Sequence, residues 1–173
     1  MKVLSSKIPV NSVIRGYLPV DYHDTFLCTI DRSINISSED IMVVCWTTMP
    51  KWLNILYKIR DSLVKPFGLQ TEKRVSEQIE QAIRNGTDYQ IISVVKKNDN
   101  ETIISLNDKH LIAYLSIYIE DSNDKKIYLT TLVKFHNKLG FIYFYLICPF
   151  HIIVVKNMIK LAIKNLLLAN KTE

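Results

Sequence analysis

Hydrophobic and polar positions change their period along this chain, from a helical first half to a two-residue alternation and then to a nearly unbroken apolar end. Asp24 to Ile30 is an early exception: Phe26, Cys28 and Ile30 alternate as in a short strand. Ser37 followed by Asp40 resembles a helix-starting cap and predicts a helix from about Glu39 to Thr48. Pro50 suits the first position of a second helix, where the missing N–H has no internal partner to lose. Trp52, Leu56, Ile59 and Leu63 give that helix an apolar stripe, Lys65-Pro66 ends it, and Gly68 suits the turn. Ser76 to Arg84 is a short polar helix with Gly86 placed to stop it.

From Tyr89 the alternation takes over. Tyr89–Lys97 and Glu101–Leu106 are predicted strands joined by Asn98-Asp99-Asn100, and His110–Glu120 and Lys126–Asn137 are longer ones joined by Asp121–Lys125. Folding the second hairpin about the centre of its loop sets Leu111 against Phe135, Ala113 against Val133, Ile117 against Leu129, and Ile119 against Ile127. That face is apolar and belongs to a core. The other face pairs Glu120 with Lys126, Tyr118 with Tyr128, Ser116 with Thr130, and His110 with His136. The Glu–Lys match supports the register independently, because a slip of one residue would turn every side chain over.

Phe141 to Cys148 fits either a strand or the start of a helix, since a short apolar run has no distinguishing period. From Pro149 to about residue 169 a helix is predicted, with Ile152, Val155, Ile159, Ile163 and Leu166 on its apolar face. Leu139 to Val155 is about as long as the shortest membrane-spanning helix. Pro149 and His151 interrupt it and Lys156, Lys160 and Lys164 follow, which favours a core helix over a membrane span and leaves peripheral membrane contact open.

Composition narrows the class. The 173 residues are 48% hydrophobic and 23% charged, as in one folded domain, with residues 1–20 as an N-terminal extension. A net charge of +5 favours approach to anionic surfaces, but no nucleic-acid-reading motif accompanies it, and no nucleic-acid partner is expected. Cys28, Cys45 and Cys148 are odd in number and lack CxxC spacing, which fits reduced thiols in the cytoplasm. Met1 to Gly16 holds no apolar run of signal-peptide length.

Several short blocks carry a family resemblance: Met49-Pro50-Lys51-Trp52-Leu53, Ile59-Arg60, Val64-Lys65-Pro66-Phe67-Gly68-Leu69, Asp108-Lys109-His110-Leu111, Thr130 to Asn137, Leu139 to Phe144, and Pro149-Phe150-His151. In this order they resemble a bacterial family known as domain of unknown function 2867, over about Asp21 to Lys160. The element order looks more loosely like the START or polyketide-cyclase helix-grip superfamily (SRPBCC). That likeness implies an antiparallel sheet around a long C-terminal helix, with a cavity between them. Members of the first family also appear fused to dinucleotide-binding domains. Here Gly16, Gly68, Gly86 and Gly140 cannot form GxGxxG or a P-loop, and no cofactor is expected.

The candidate chemistry centres on histidines. His110 and His136, placed opposite each other, are an acid–base pair or two ligands of a metal completed by His151 or Asp108. The ordinary alternative is a pair of strand residues bonded to their neighbours, and two positioned side chains do not make a metal site. Arg60 suits a ligand carboxylate or phosphate, or a plain ion pair. Tyr114, with Tyr118, Tyr128, Tyr143 and Tyr145, suits a pocket wall, and an exposed Tyr118–Tyr128 face would suit a homodimer. No serine or cysteine has a recognisable triad partner.

The expectation is therefore an α+β domain: an antiparallel sheet on a long C-terminal helix, with two N-terminal helices. Non-catalytic binding of a small apolar ligand between sheet and helix is the leading reading. An enzyme using His110 and His136, or an oligomerisation module without a ligand, are the alternatives.

Overall fold

The alternation of residues 111–135 closes into the hairpin that organises the molecule. In the computed structural model, which describes residues 1–48, 50–53, 55, 58 and 75–169, Leu111–Asp121 pairs with Lys125–Phe135 in the expected register, from Leu111 opposite Phe135 to Glu120 opposite Lys126. These strands are β5 and β6 of one antiparallel sheet. The others are β1 (Val3–Ser5), β2 (Tyr22–Ile30), β3 (Ile92–Lys97) and β4 (Glu101–Asn107), in the order β1-β2-β6-β5-β4-β3. A bulge between Val94 and Lys96 breaks the register of edge strand β3.

The front face of the sheet carries the helices. Helix α1 (Ser38–Thr47) begins as expected, with the Ser37 hydroxyl accepting from the Asp40 N–H at 3.0 Å. Helix α2 (Ser76–Asn85) ends at Gly86, whose φ of 68° is the left-handed conformation that glycine tolerates best. Arg84 ties the two together through Glu39, Asp40 and Glu80. Helix α3 (Lys138–Ala169) lays Val155, Ile159, Ala162 and Ile163 against Ile117, Ile119, Ile127 and Leu129 of the central strands. Each such isoleucine, fully buried, contributes about 1.5–3 kcal/mol. The fold is α+β, with a long C-terminal helix on an antiparallel sheet.

Three boundaries differ from the sequence reading. Strand β3 starts at Ile92 rather than Tyr89, because Gln90 adopts a φ of 54° and turns the chain so that Tyr89 and Ile92 bond to each other. Helix α3 starts at Lys138 rather than Pro149, so residues 141–148 are helical and Pro149 lies inside the helix. The proline lacks the N–H that would reach Tyr145, and the helix still runs unbroken through it. Beyond Leu53 the predicted second helix falls mostly outside the described residues, as do Arg60, Lys65-Pro66 and Gly68; residues 51–53 are helical.

The back face is covered by the segment from Ile8 to Val20. Ile14, in a 3-10 turn over Val13–Tyr17, packs with Ile103 and Leu132, and Tyr17 stacks on Tyr114 at 4.5 Å between ring centroids. Glu101 anchors the covering: it is 1% exposed and accepts from Ser12 Oγ at 2.7 Å, Val13 N at 2.6 Å, Ile14 N at 3.4 Å and Ser116 Oγ at 2.5 Å. Tyr118 and Tyr128 are buried beside each other on this face, so they offer no exposed surface for a homodimer.

Candidate functional site

The motif residues Asp108 to Leu111 and His136 to Gly140 come together at the open end of the β5–β6 hairpin. The His136 N–H donates to the His110 carbonyl at 2.9 Å, so the two histidines are opposite each other as expected. Asn137 then starts helix α3: its Oδ1 accepts from the Gly140 N–H at 3.1 Å, as an N-cap does. The Asn137 amide also meets the His110 ring and donates to the Lys109 carbonyl at 3.3 Å. A Cβ on Gly140 would stand 2.0 Å from the His110 carbonyl oxygen, so only glycine lets the helix seat there. These contacts form a clasp that fixes the first turn of α3 to the sheet. Neither His110 nor His136 is among the described residues lining the main cavity.

That cavity lies where the packing of α3 divides. Its N-terminal half meets the sheet through Tyr143 and Phe144 against Leu111 and Val133, and its C-terminal half through Val155 and Ile159 in the main core. Between these two clusters is a cavity of about 290 Å³, lined by members of both and by Cys45, Trp46, Ala113, Leu115, Phe150 and Met158. Its wall is mainly apolar, with polar groups from Asp108, Thr131, Tyr143 and His151. Burial pushes the Cys45 thiol up to about 12, so it is a protonated, unreactive part of the wall.

Behind His151 and Thr131 of the cavity wall stands a polar cluster drawn from distant parts of the chain. His151 Nε2 lies 3.1 Å from Asp24 Oδ2, and the Tyr22 hydroxyl donates to the same oxygen at 2.9 Å. Facing a carboxylate, Nε2 is the protonated ring nitrogen. Burial, and then the Asp24 charge, raise the Tyr22 pKa well above its ordinary value, so Tyr22 remains a donor. Asp24 is paired across the sheet with Thr131. Asp24 Oδ1 and Thr131 Oγ1 are both buried and have no hydrogen-bond partner among the described residues. Buried polar atoms are nearly always bonded, so two adjacent unbonded ones mark a place for a ligand donor or a bound water.

The predicted candidates therefore separate. His151 lines the cavity from the middle of α3 rather than from a helix entrance, because the helix begins a full segment earlier. His110 and His136 belong to the clasp, Tyr114 packs on Tyr17 across the sheet from the cavity, and Arg60 lies outside the described residues. Among the described residues no three His, Cys, Asp or Glu side chains converge as metal ligands. Tyr22 and Asp24 were not singled out in sequence. The alternation of β2 puts both on one face, but nothing local connects them to a histidine 127 positions away.

No curated protein and no solved structure matches this chain. A family model does, over residues 18–158, a span that holds the Asp24–His151 cluster, the clasp and the described cavity wall. The chain belongs to the family described as Protein of unknown function (DUF2867).

Proposed function

We propose that this protein binds a small, mainly apolar molecule in the cavity between sheet and helix α3, with a hydrogen-bond-donating end set at Asp24 and Thr131. The observation that carries the reading is an apolar cavity lined by Thr131, whose buried hydroxyl and the buried Oδ1 of Asp24 across from it have no described partner. At about 290 Å³ the volume is at the low end for small-molecule sites, roughly 300–1,000 Å³. The free thiols Cys28, Cys45 and Cys148 suit a reducing cytoplasm.

Native mass spectrometry of protein from its own host tests this directly. A discrete extra mass, lost on denaturation and absent from an Ala113→Phe variant that fills the cavity, is the expected result. Anilinonaphthalene sulfonate should likewise brighten with the natural chain and not with Ala113→Phe. A bare native mass together with equal probe binding by both proteins would overturn the proposal.

A second reading rests on the Asp24–His151 pair, because a carboxylate behind an imidazole is how a general base is oriented. With Nε2 given to Asp24, Nδ1 is the ring nitrogen left to exchange a proton with a ligand. Under this reading His151→Gln keeps probe binding but loses turnover of the recovered molecule. Recovery of that molecule unchanged after incubation with the natural chain would leave binding alone.

A further inference from the structure

Helix α3 exposes an apolar face that nothing described in this chain covers. Leu139, Ile142, Leu146 and Ile153 are 41–51% exposed, and with Pro149 they form a stripe at spacings of three and four. Phe141 and Tyr145, 52% and 48% exposed, widen it. From Leu139 to Val155 the helix holds no Asp, Glu, Lys or Arg, and the most apolar window of α3 is only 17% buried. A soluble helix ordinarily turns charges toward water, and an exposed patch of this kind marks an interaction surface.

Charge selects the occupant. The whole of α3 contains Lys138, Lys156, Lys160 and Lys164 and no acidic residue. Lys138 stands at the N-terminal end, where the helix dipole disfavours a cation, so helix stability does not account for it. Exposed Lys109 flanks the same end, through the bond from Asn137 to its carbonyl. The nearby acids Asp21 and Asp108 each accept a backbone N–H, from Phe135 and Lys109. A second copy docked on the stripe would bring lysines against lysines. An anionic lipid surface offers both apolar depth for the stripe and headgroups for the lysines.

We infer that the N-terminal half of α3 docks this protein on an anionic membrane surface, lying in the interface while its C-terminal half stays in the core. This is independent of what fills the cavity. Flotation of the full chain with vesicles of phosphatidylcholine mixed with phosphatidylglycerol, and with phosphatidylcholine alone, tests it. The chain should float with the mixed vesicles. Ile142→Glu combined with Leu146→Glu, neither of which lines the cavity, should weaken binding at least about tenfold. Lys109→Ala with Lys138→Ala should weaken it about fivefold per charge, on the anionic vesicles alone. Circular dichroism checks both variants, and the lysine pair keeps the test sharp if the glutamates unfold the helix. Failure to float, or flotation that neither variant reduces, would overturn the inference. So would a concentration-dependent dimer that the glutamates disperse without any vesicle binding, which would assign the stripe to a second copy.

Discussion

Two carboxylates on opposite faces of one sheet, Glu101 buried and Asp24 half-buried, show how the same group can serve different ends. On the back face, Glu101 accepts from two hydroxyls and two backbone N–H groups. Its hydrogen-bonding capacity is filled by the chain itself, and it holds residues 12–14 against the sheet. On the front face, Asp24 takes both of its described bonds on one oxygen and leaves the other buried and unbonded, opposite the Thr131 of the cavity wall. A filled carboxylate fastens structure, while a half-filled one is available to something else.

Glu101→Ala gives the largest expected effect. It strands Ser12, Ser116 and the turn N–H groups together, and should cost about 3 kcal/mol or more in urea unfolding, since each bond to a charged group contributes about 1.5–3 kcal/mol. Gly140→Ala comes next, because the added methyl meets the His110 backbone rather than a side chain that can move. Overpacking of that kind costs about 1–3 kcal/mol. Gly16→Ala, with open space around it, should stay within about 0.5 kcal/mol in the same assay.

Asp24→Ala should be milder than Glu101→Ala, at about 1.5–3 kcal/mol, since only two bonds are lost and the carboxylate is only half-buried. It should nevertheless remove the extra mass seen in the native spectrum. Equal unfolding costs for the two carboxylates would erase the contrast between them. Tyr22→Phe is milder than Asp24→Ala, about 0.5–1 kcal/mol by thermal or urea melting. Its sharper readout is ligand retention: with one donor gone from Oδ2, Asp24 should hold a donating ligand more tightly, and weaker retention would show that Tyr22 itself touches the ligand.

The sequence carried the back-to-front order of β5 and β6 because two independent signals agreed there, the apolar alternation and the Glu120–Lys126 match. Where only one signal exists, the sequence leaves the element open. The start of α3 is hidden in an apolar run without a period, and Asn137 just before that run, without a Glu or Gln three residues on, is only half of a capping signal. Glu101 looked like a polar residue opening a strand; its burial depends on residues 12–14, which have too few apolar positions to announce that they pack. The Asp24–His151 pair was illegible for a different reason. It depends on which turn of a 32-residue helix passes β2, and sequence alone does not fix that. The histidine motif that was legible proved to organise the helix seat, one step removed from the cavity.

The two edges of the sheet have a consequence for how crowded copies of this protein behave. Edge strand β1 has only three residues, and β3 carries its bulge beside Lys96 and Lys97. Each edge presents too short or too irregular a row of free backbone groups, or one too strongly charged, for another strand to pair along it. At high concentration, then, ribbon-like growth from strand to strand is blocked at both ends.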